Sequence, residues 1–133
     1  MTHSTVRIAI GAEMDIAKAI LHADRISAQM GFDAADRSRI ATAVSELARN
    51  IVKYAGSGHV VIAPVERPGA AGIEIVAEDQ GPGIGDVERA MSDHFSSGGT
   101  LGLGLPGVRR LLDEFSIESQ PGRGTRVRGR KWR

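Results

Sequence analysis

The chain has 133 residues, of which 41% are hydrophobic and 25% charged, with a formal net charge of +1 and no cysteine. This balance is typical of one globular domain, and it excludes a disulfide framework, a thiolate metal site and a cysteine nucleophile. So small a net charge gives no global attraction to nucleic acid or to an anionic membrane surface. With no signal segment and no run of about 18 apolar residues, we expect a cytoplasmic protein and a single domain over residues 1–133.

The N-terminal half predicts one strand followed by two helices. Val6, Ile8 and Ile10 alternate with other residues, as expected for a strand with one buried face. Apolar residues at helical spacing predict a first helix over Asp15–Met30 and a second helix that Asp33 caps. The predicted core stripe of the second helix consists of Ile40, Val44, Leu47, Ile51 and Tyr54.

The C-terminal half predicts two pairs of strands separated by a glycine-rich segment. The predicted strands are His59–Val65, Ile73–Glu78, Phe115–Ser119 and a last one from Thr125. The glycine-rich segment spans Gly81–Gly107 and contains a short predicted helix at Asp86–His94. A further helix is predicted around Val108, Leu111 and Leu112, so the chain as a whole predicts a two-layer α/β sandwich.

The second helix carries the first polar motif. Glu46 and Asn50 are four residues apart and therefore project from the same side of the helix. That side lies about 60–100° away from the core stripe, so a carboxylate and an amide flank the buried face together. Such a pair suits a cleft, although the spacing alone favours a pair that only solvates the helix.

A second motif follows an apolar strand. Asp79 ends the predicted strand, and Gly81 and Gly83 come directly after it. The glycines allow another molecule to approach the backbone closely, and the carboxylate could accept a hydrogen bond from the amino group of a base. A plain turn fits these residues equally well, because Asp, Gly and Pro are the usual turn formers.

A third motif is the glycine-rich run SSGGTLGLGLPG at residues 96–107, which leads into a predicted helix. Free backbone N–H groups and a helix N-terminus make phosphates the natural ligands, and a mobile lid is an equally natural interpretation. Gly102, Gly104 and Gly107 match the dinucleotide fingerprint, but no apolar strand precedes them and fewer than thirty residues follow. No lysine follows as a P-loop requires, so both classes of site are excluded.

The three motifs in this order resemble the N, G1 and G2 boxes of the GHKL ATPases. The segments SELARNIVKYAG, AEDQGPGI and LGLPGVRRLLDEFS are similar to the RsbT class of small bacterial kinases, which are kin to the anti-sigma kinases. The resemblance spans nearly the whole chain. It implies the GHKL (Bergerat) fold, an α/β two-layer sandwich in which a mixed sheet is covered on one face by helices.

The resemblance also implies a role for each motif residue. Asp79 would hold the adenine amino group of ATP with support from Thr125, and Asn50 would ligate Mg²⁺ through its side-chain oxygen. Glu46 would be the catalytic base that orients and deprotonates the attacking hydroxyl. The glycines that would let the nucleotide approach are Gly81, Gly83, Gly102 and Gly104. Phosphoryl transfer needs such a positioned nucleophile, neutralised phosphates and backbone donors.

Two sets of cations lie outside these motifs. No evident lysine serves the phosphates, so Arg49 is a candidate for neutralising them, although a solvated helix arginine is the simpler interpretation. Arg126, Arg128 and Arg130 alternate along the last predicted strand and so share one face. They suit docking to an acidic protein surface or, more simply, a solvated sheet face with edge-protecting charges.

The resemblance implies an ATP-dependent serine/threonine protein kinase of a bacterial partner-switching stress response. Its substrate would be a STAS-domain protein, with a PP2C-type phosphatase or a sigma factor as further partners and no nucleic acid or membrane partner. The alternative is a non-catalytic ATP-binding module that holds a sigma factor or activates a phosphatase, but the presence of both Glu46 and Asn50 favours catalysis. The catalytic part of a histidine kinase is disfavoured, because 133 residues leave no room for a dimerising helical hairpin.

Overall fold

The computed structural model describes residues 4–83, 91 and 104–133. The elements in chain order are β1 (Val6–Ile10), α1 (Glu13–Gln29), α2 (Ala34–Tyr54), β2 (Gly58–Arg67), β3 (Ala70–Asp79), α3 (Gly104–Leu111), β4 (Glu114–Gln120) and β5 (Gly124–Trp132). Each predicted strand and main helix is confirmed, with ends that differ by a few residues. The short helix predicted at Asp86–His94 lies outside the described residues.

The five described strands form one sheet in the order β1-β2-β3-β5-β4. All four neighbouring pairs of these strands are antiparallel, so the expectation of a mixed sheet was wrong. The predicted two-layer sandwich is confirmed. Two helices separate β1 from β2, and the chain therefore returns in the opposite direction. The connection through α3 does make β4 run parallel to β3, but β5 is inserted between them and no parallel pair forms.

Helices α1 and α2 cover one face of the sheet, and their start sites follow from side-chain capping. Asp33 accepts a hydrogen bond from the backbone N–H of Asp36 at 2.8 Å, which confirms it as the cap of α2. The carboxylate of Asp15 accepts hydrogen bonds from the N–H groups of Gly11 and Ala12 at 2.9 and 3.0 Å. Asp15, the predicted first residue of α1, therefore caps the helix from inside its first turn, and α1 begins two residues earlier, at Glu13.

The core stripe of α2 is buried at its first four predicted positions but not at the fifth. Tyr54 is 49% exposed, so its predicted place in the core was wrong. Ala55, the half-buried C-cap residue, faces the sheet instead and packs against Gly81. The side chains at the centre of the core are Ile10, Ile40, Val44, Leu47, Val60, Ile62, Ile73, Ile75 and Val108.

The last strand is not at an edge of the sheet. β5 lies between β3 and β4, so the expectation of edge-protecting charges was wrong. Arg126 and Arg128 are exposed, whereas Arg130 is half-buried and its Nε lies 2.7 Å from the carboxylate of Glu74 on β3. One of the three arginines therefore supports the sheet rather than remaining available to a partner.

The end of β5 is fastened by Asp113, which follows α3. Its carboxylate accepts hydrogen bonds from the backbone N–H of Trp132 at 2.7 Å and from Lys131 at 3.1 Å. Partial burial opposes ionisation, but these bonds and the charges of Lys131 and Arg67 outweigh it and lower the pKa of Asp113. Because folding lowers this pKa, the ionised carboxylate stabilises the fold fully at pH values above its unfolded-state pKa. This contribution is lost as pH falls through the folded-state pKa.

The turn between β4 and β5 makes a close backbone contact with the end of β3. Gly124 has a φ of +87°, and a side chain there would run into the backbone carbonyl of Asp79. Gly83 has a φ of +77°, and a side chain there would run into the carbonyl of Gln120. Only glycine combines this left-handed conformation with so close an approach.

Two substitutions in this turn separate the conformational cost from the steric one. Gly124→Ala should lower the free energy of unfolding by about 3 kcal/mol or more, because strain and collision add. Gly122→Ala is the matched control, since Gly122 has a φ of +77° but nothing within 4 Å of the added carbon, and should cost about 1 kcal/mol. Urea unfolding measures both, and equal losses would contradict the close contact.

Candidate functional site

The helix-facing side of the sheet ends in one row of residues, here called the polar row because its members on β3, β5 and β4 are polar. Strand pairing places Ile10, Gly58, Asp79, Thr125 and Ser119 in one line across all five described strands. Because side chains alternate between faces, this line lies on the same side as the buried row next to it, which includes Val60, Ala77 and Val127. An apolar core surface therefore changes to hydroxyls and a carboxylate at one edge.

Asp79 lies where this row meets the last turns of α2. A side-chain carbon at Gly58, its pairing partner, would lie 3.0 Å from Cβ of Asp79 and 3.0 Å from Cγ2 of Ile51. Oδ1 of Asp79 accepts a hydrogen bond from the backbone N–H of Gly81 at 2.8 Å. This bond fixes the orientation of the half-buried carboxylate and leaves its other oxygen available to a ligand.

The glycines after Asp79 are required by the protein's own packing. A side-chain carbon at Gly81 would lie 2.6 Å from Cβ of Ala55, and one at Gly83 would collide with the β4–β5 turn. The N–H of Gly122 in that turn also donates to the carbonyl of Pro82 at 2.7 Å. These glycines therefore hold the Asp79 segment between α2 and the β4–β5 turn, whether or not a ligand is present.

Thr125 lies directly opposite Asp79 in the pairing of β3 with β5, and Ser119 lies opposite Thr125 on β4. The two hydroxyl oxygens are 2.8 Å apart, and the Ser119 hydroxyl also donates to the carbonyl of Gly124 at 3.1 Å. The predicted pair of Asp79 and Thr125 is thus brought together, although 46 residues separate the two in sequence. Sequence reasoning missed Ser119, which was detectable as a polar residue on the apolar side of a predicted strand.

Glu46 and Asn50 lie one turn apart on α2, and both are half-buried. Their separation along the helix axis is about 6 Å. Leu47 and Ile51, the residues that follow them, are buried, so the pair occupies the margin of the core as predicted. Since Ile51 contacts the polar row at Gly58, Asn50 lies on the part of α2 that borders this row.

Arg49 makes an ion pair within the helical layer. Its guanidinium lies 3.3 Å from the carboxylate of Glu13 at the start of α1, where the Glu13 side chain is largely exposed and that of Arg49 is partly exposed. This contact joins the two helices beside Asn50. It supports the interpretation of Arg49 as a helix-surface arginine.

The remaining predicted residues belong to the glycine-rich run. Gly102 lies outside the described residues, and Gly104 begins α3 with a φ of +64°. Pro106 sits in the first turn of α3, where a missing N–H costs nothing, and Val108 anchors the helix in the core. The helix ends at Leu111, so it does not include Leu112, which the sequence pattern had placed in it.

Among residues 4–83, 91 and 104–133, no cluster of three or more His, Asp or Glu side chains could hold a metal ion by itself. Asn50 offers one hard oxygen ligand of the kind that Mg²⁺ accepts. Mg²⁺ commonly takes one or two protein ligands and completes its shell with water and phosphate oxygens. The residues therefore fit a metal that arrives with a phosphate-bearing ligand rather than one held in a protein cage.

The comparison with protein families identifies the class to which this site belongs. Residues 35–131 match the family described as "Histidine kinase-, DNA gyrase B-, and HSP90-like ATPase". The chain is 49% identical over 125 residues to the serine/threonine-protein kinase RsbT of Bacillus subtilis, with 94% of each chain covered. It is 34% identical over 99 residues to an anti-sigma F factor of Caldanaerobacter subterraneus, which covers 70% of this chain and 68% of that one.

Solved structures agree on the fold. The structure of the RsbU and RsbW domains of a Mycobacterium tuberculosis protein matches with a TM-score of 0.66 and 18% identity, covering 98% of this chain and 33% of that one. The SiaB-SiaC complex of Pseudomonas aeruginosa matches with a TM-score of 0.59 and 13% identity, covering 99% of this chain and 91% of that one. At these identities the likeness shows the fold alone.

The chain therefore belongs to the histidine kinase-, DNA gyrase B- and HSP90-like ATPase family, and within it to the RsbT type of serine/threonine-protein kinases. The motif order predicted this membership from the sequence. Use of ATP follows from it. In the part of the chain that the structure describes, no helix is long and apolar enough to span a membrane.

The contact between Arg49 and Glu13 predicts how two alanine variants will behave. Arg49→Ala and Glu13→Ala should each change the free energy of unfolding by less than about 1 kcal/mol, because exposed ion pairs contribute little. Both should bind ATP as the parent does, which calorimetry measures. Weaker ATP binding in Arg49→Ala, with Glu13→Ala unchanged, would instead mean that the guanidinium serves the phosphates.

Proposed function

We propose that this protein transfers the terminal phosphoryl group of ATP to a serine or threonine of a STAS-domain regulatory protein and exchanges partners as that residue is modified. The observation that carries the proposal is a pair of half-buried polar side chains, Glu46 and Asn50, on the helix whose next turn packs at Gly58 in the polar row that contains Asp79 and Thr125. The similarity to a serine/threonine-protein kinase along 94% of the chain supports the same activity.

Adenine recognition is assigned to the end of β3. The open oxygen of Asp79 accepts a hydrogen bond from the amino group of the base, and Thr125 lies directly opposite on β5. The buried apolar rows of the sheet adjoin this site, so the carboxylate lies next to the dry core. Gly81, Gly83, Gly102 and Gly104 would allow the nucleotide to approach the backbone closely.

Transfer is assigned to the helix side of the site. Glu46 accepts the proton of the attacking hydroxyl as the new oxygen–phosphorus bond forms and the bond to the bridging oxygen of ADP breaks. Asn50 would hold Mg²⁺ through its side-chain oxygen, and the metal supplies charge neutralisation to the phosphates when bound. Half-burial strengthens the effect of both side chains, because the local dielectric constant is lower than in water.

The partners that we propose are proteins. A STAS-domain protein supplies the hydroxyl, and a PP2C-type phosphatase is the second partner. A sigma factor is an alternative partner, and similarity to anti-sigma F factors over 70% of the chain favours this second candidate function, an ATP-dependent binding module. Transfer of labelled phosphate to purified STAS-domain proteins decides between these functions.

Asp79→Asn tests the adenine site. The variant keeps the oxygen that Gly81 contacts but presents an N–H donor where the base also presents one, so ATP affinity should fall by about ten- to a hundredfold. Glu78→Gln is the matched control, since that side chain faces the opposite side of the sheet and contacts His59. Calorimetry measures both affinities, and an Asp79→Asn protein that binds ATP as tightly as the parent would remove Asp79 from the site.

Glu46→Gln tests the catalytic base. The side chain keeps its size and can still donate and accept hydrogen bonds, so Mg-ATP should bind normally while single-turnover transfer slows by about 10²- to 10⁴-fold. Glu66→Gln, at an exposed position on β2, controls for the loss of one negative charge. Transfer at the parental rate by the Glu46→Gln protein would exclude the base, and a parent that binds its partner without any transfer would establish the binding module.

A further inference from the structure

Helix α1 has an apolar side that points away from the core. Its buried residues are Ile16, Ala19, Ala23, Ile26 and Ser27. At about 100° per residue, the opposite side of the helix is an arc of about 100°, and the residues in this arc are exposed. The arc, here termed the outer face of α1, consists of Met14, Ala17, Lys18, Leu21, Arg25 and Ala28. The side of a helix opposite its core stripe is normally charged or polar, so the apolar residues on this side need a reason.

The outer face carries one apolar ridge. Met14 and Leu21 are the most exposed large apolar side chains among the described residues, at 78% and 55%. They lie two turns apart, about 10 Å along the helix axis, and Ala17 leaves room between them. Scattered exposed apolar side chains are common, but two in register with a small residue between them form the pattern into which a second helix packs.

The carboxylates of α1 are engaged within the molecule. Asp15 accepts the capping hydrogen bonds at the start of the helix, and Glu13 pairs with Arg49 on α2. Asp24 accepts hydrogen bonds from two nitrogens of Arg37 at 3.2 and 3.0 Å. None of these three carboxylates lies on the outer face, so the ridge has no negative charge beside it that is open to a partner.

The cations of the outer face are not engaged in this way. In residues 4–83, 91 and 104–133, neither Lys18 nor Arg25 forms an ion pair. Both lie along the same margin of the ridge, which gives the outer face a positive border. A second copy of this chain would bring two such borders together without a free carboxylate, which disfavours self-pairing. A membrane surface is disfavoured because two large apolar side chains bury little area in it.

We propose that the outer face of α1 docks an amphipathic helix of a protein partner, one whose apolar ridge is bordered by aspartate or glutamate side chains. Met14 and Leu21 pack between the apolar residues of that helix, and Lys18 and Arg25 meet its carboxylates. This surface lies on the side of α1 opposite the core, so the inference goes beyond the nucleotide site. A contact along one helix is small, and its exposed charges mainly set the rate of association and the choice of partner.

Two synthetic helical peptides test the docking on the full chain. They share one ridge of leucines and differ only in the residues that border it, which are glutamates in one peptide and lysines in the other. The parent should bind the glutamate peptide about tenfold more tightly or better, because its two cations attract one border and repel the other. Fluorescence anisotropy of the labelled peptides measures both affinities, and the preference should shrink as the salt concentration rises.

Variants of the outer face make the result specific. Lys18→Glu combined with Arg25→Glu should reverse the preference, so that the lysine peptide binds more tightly. Leu21→Asp should weaken binding of the glutamate peptide by about tenfold or more, because a charge replaces the apolar contact. Arg109→Glu combined with Arg123→Glu is the matched control, since it makes the same change of net charge at exposed positions outside α1.

The same proteins decide against the other occupants. Equal binding of both peptides by the parent, or a preference that the charge reversal leaves unchanged, overturns the docking. It is also overturned if Leu21→Asp abolishes self-association of the parent in analytical ultracentrifugation, which assigns the outer face to a second copy. Binding of the parent to phosphatidylserine vesicles in preference to the glutamate peptide assigns the face to a membrane. Each variant should keep the parental ATP affinity, so a failure of the proposed nucleotide site is measured separately.

Discussion

The contact between the end of β3 and the β4–β5 turn determines where the site forms. Gly124 approaches the backbone carbonyl of Asp79 so closely that no side chain fits, and this approach sets the pairing of β5 with β3. That pairing places Thr125 opposite Asp79 and carries Ser119 along on the next strand. Because β5 is inserted between β3 and β4, polar residues from these three strands meet in one row.

The helical layer contributes the other half of the site through its packing on this row. Ile51 contacts the sheet at Gly58, and Ala55 packs on Gly81, so the last two turns of α2 are held against the strand end. Glu46 and Asn50 remain half-buried because they lie beside, rather than on, the buried stripe. Deeper burial would remove the access of these two side chains to a ligand, and full exposure would leave their charges and dipoles screened by water.

The division of chemistry between the two layers is consistent with a phosphoryl-transfer enzyme. The sheet end offers hydrogen-bond acceptors beside the apolar core, whereas the helix offers a carboxylate and an amide. Similar chains are described both as a serine/threonine-protein kinase and as anti-sigma F factors. On the proposed function, the groups that hold the nucleotide would also be the structural supports of the strand end and of α2, and this would couple nucleotide binding to protein binding whether or not transfer occurs.

Local pattern in the sequence determined the elements, since Asp33 caps α2 and the alternation around Ile73 and Ile75 marks β3 without reference to distant residues. Motif order likewise determined the family and the candidate residues Glu46, Asn50 and Asp79. Only the tertiary structure decided the antiparallel sheet, the exposure of Tyr54, the interior place of β5 and the position of Ser119 beside Thr125. Each of these depends on which strand or helix lies beside which, and periodicity along one segment carries no information about its neighbours in space.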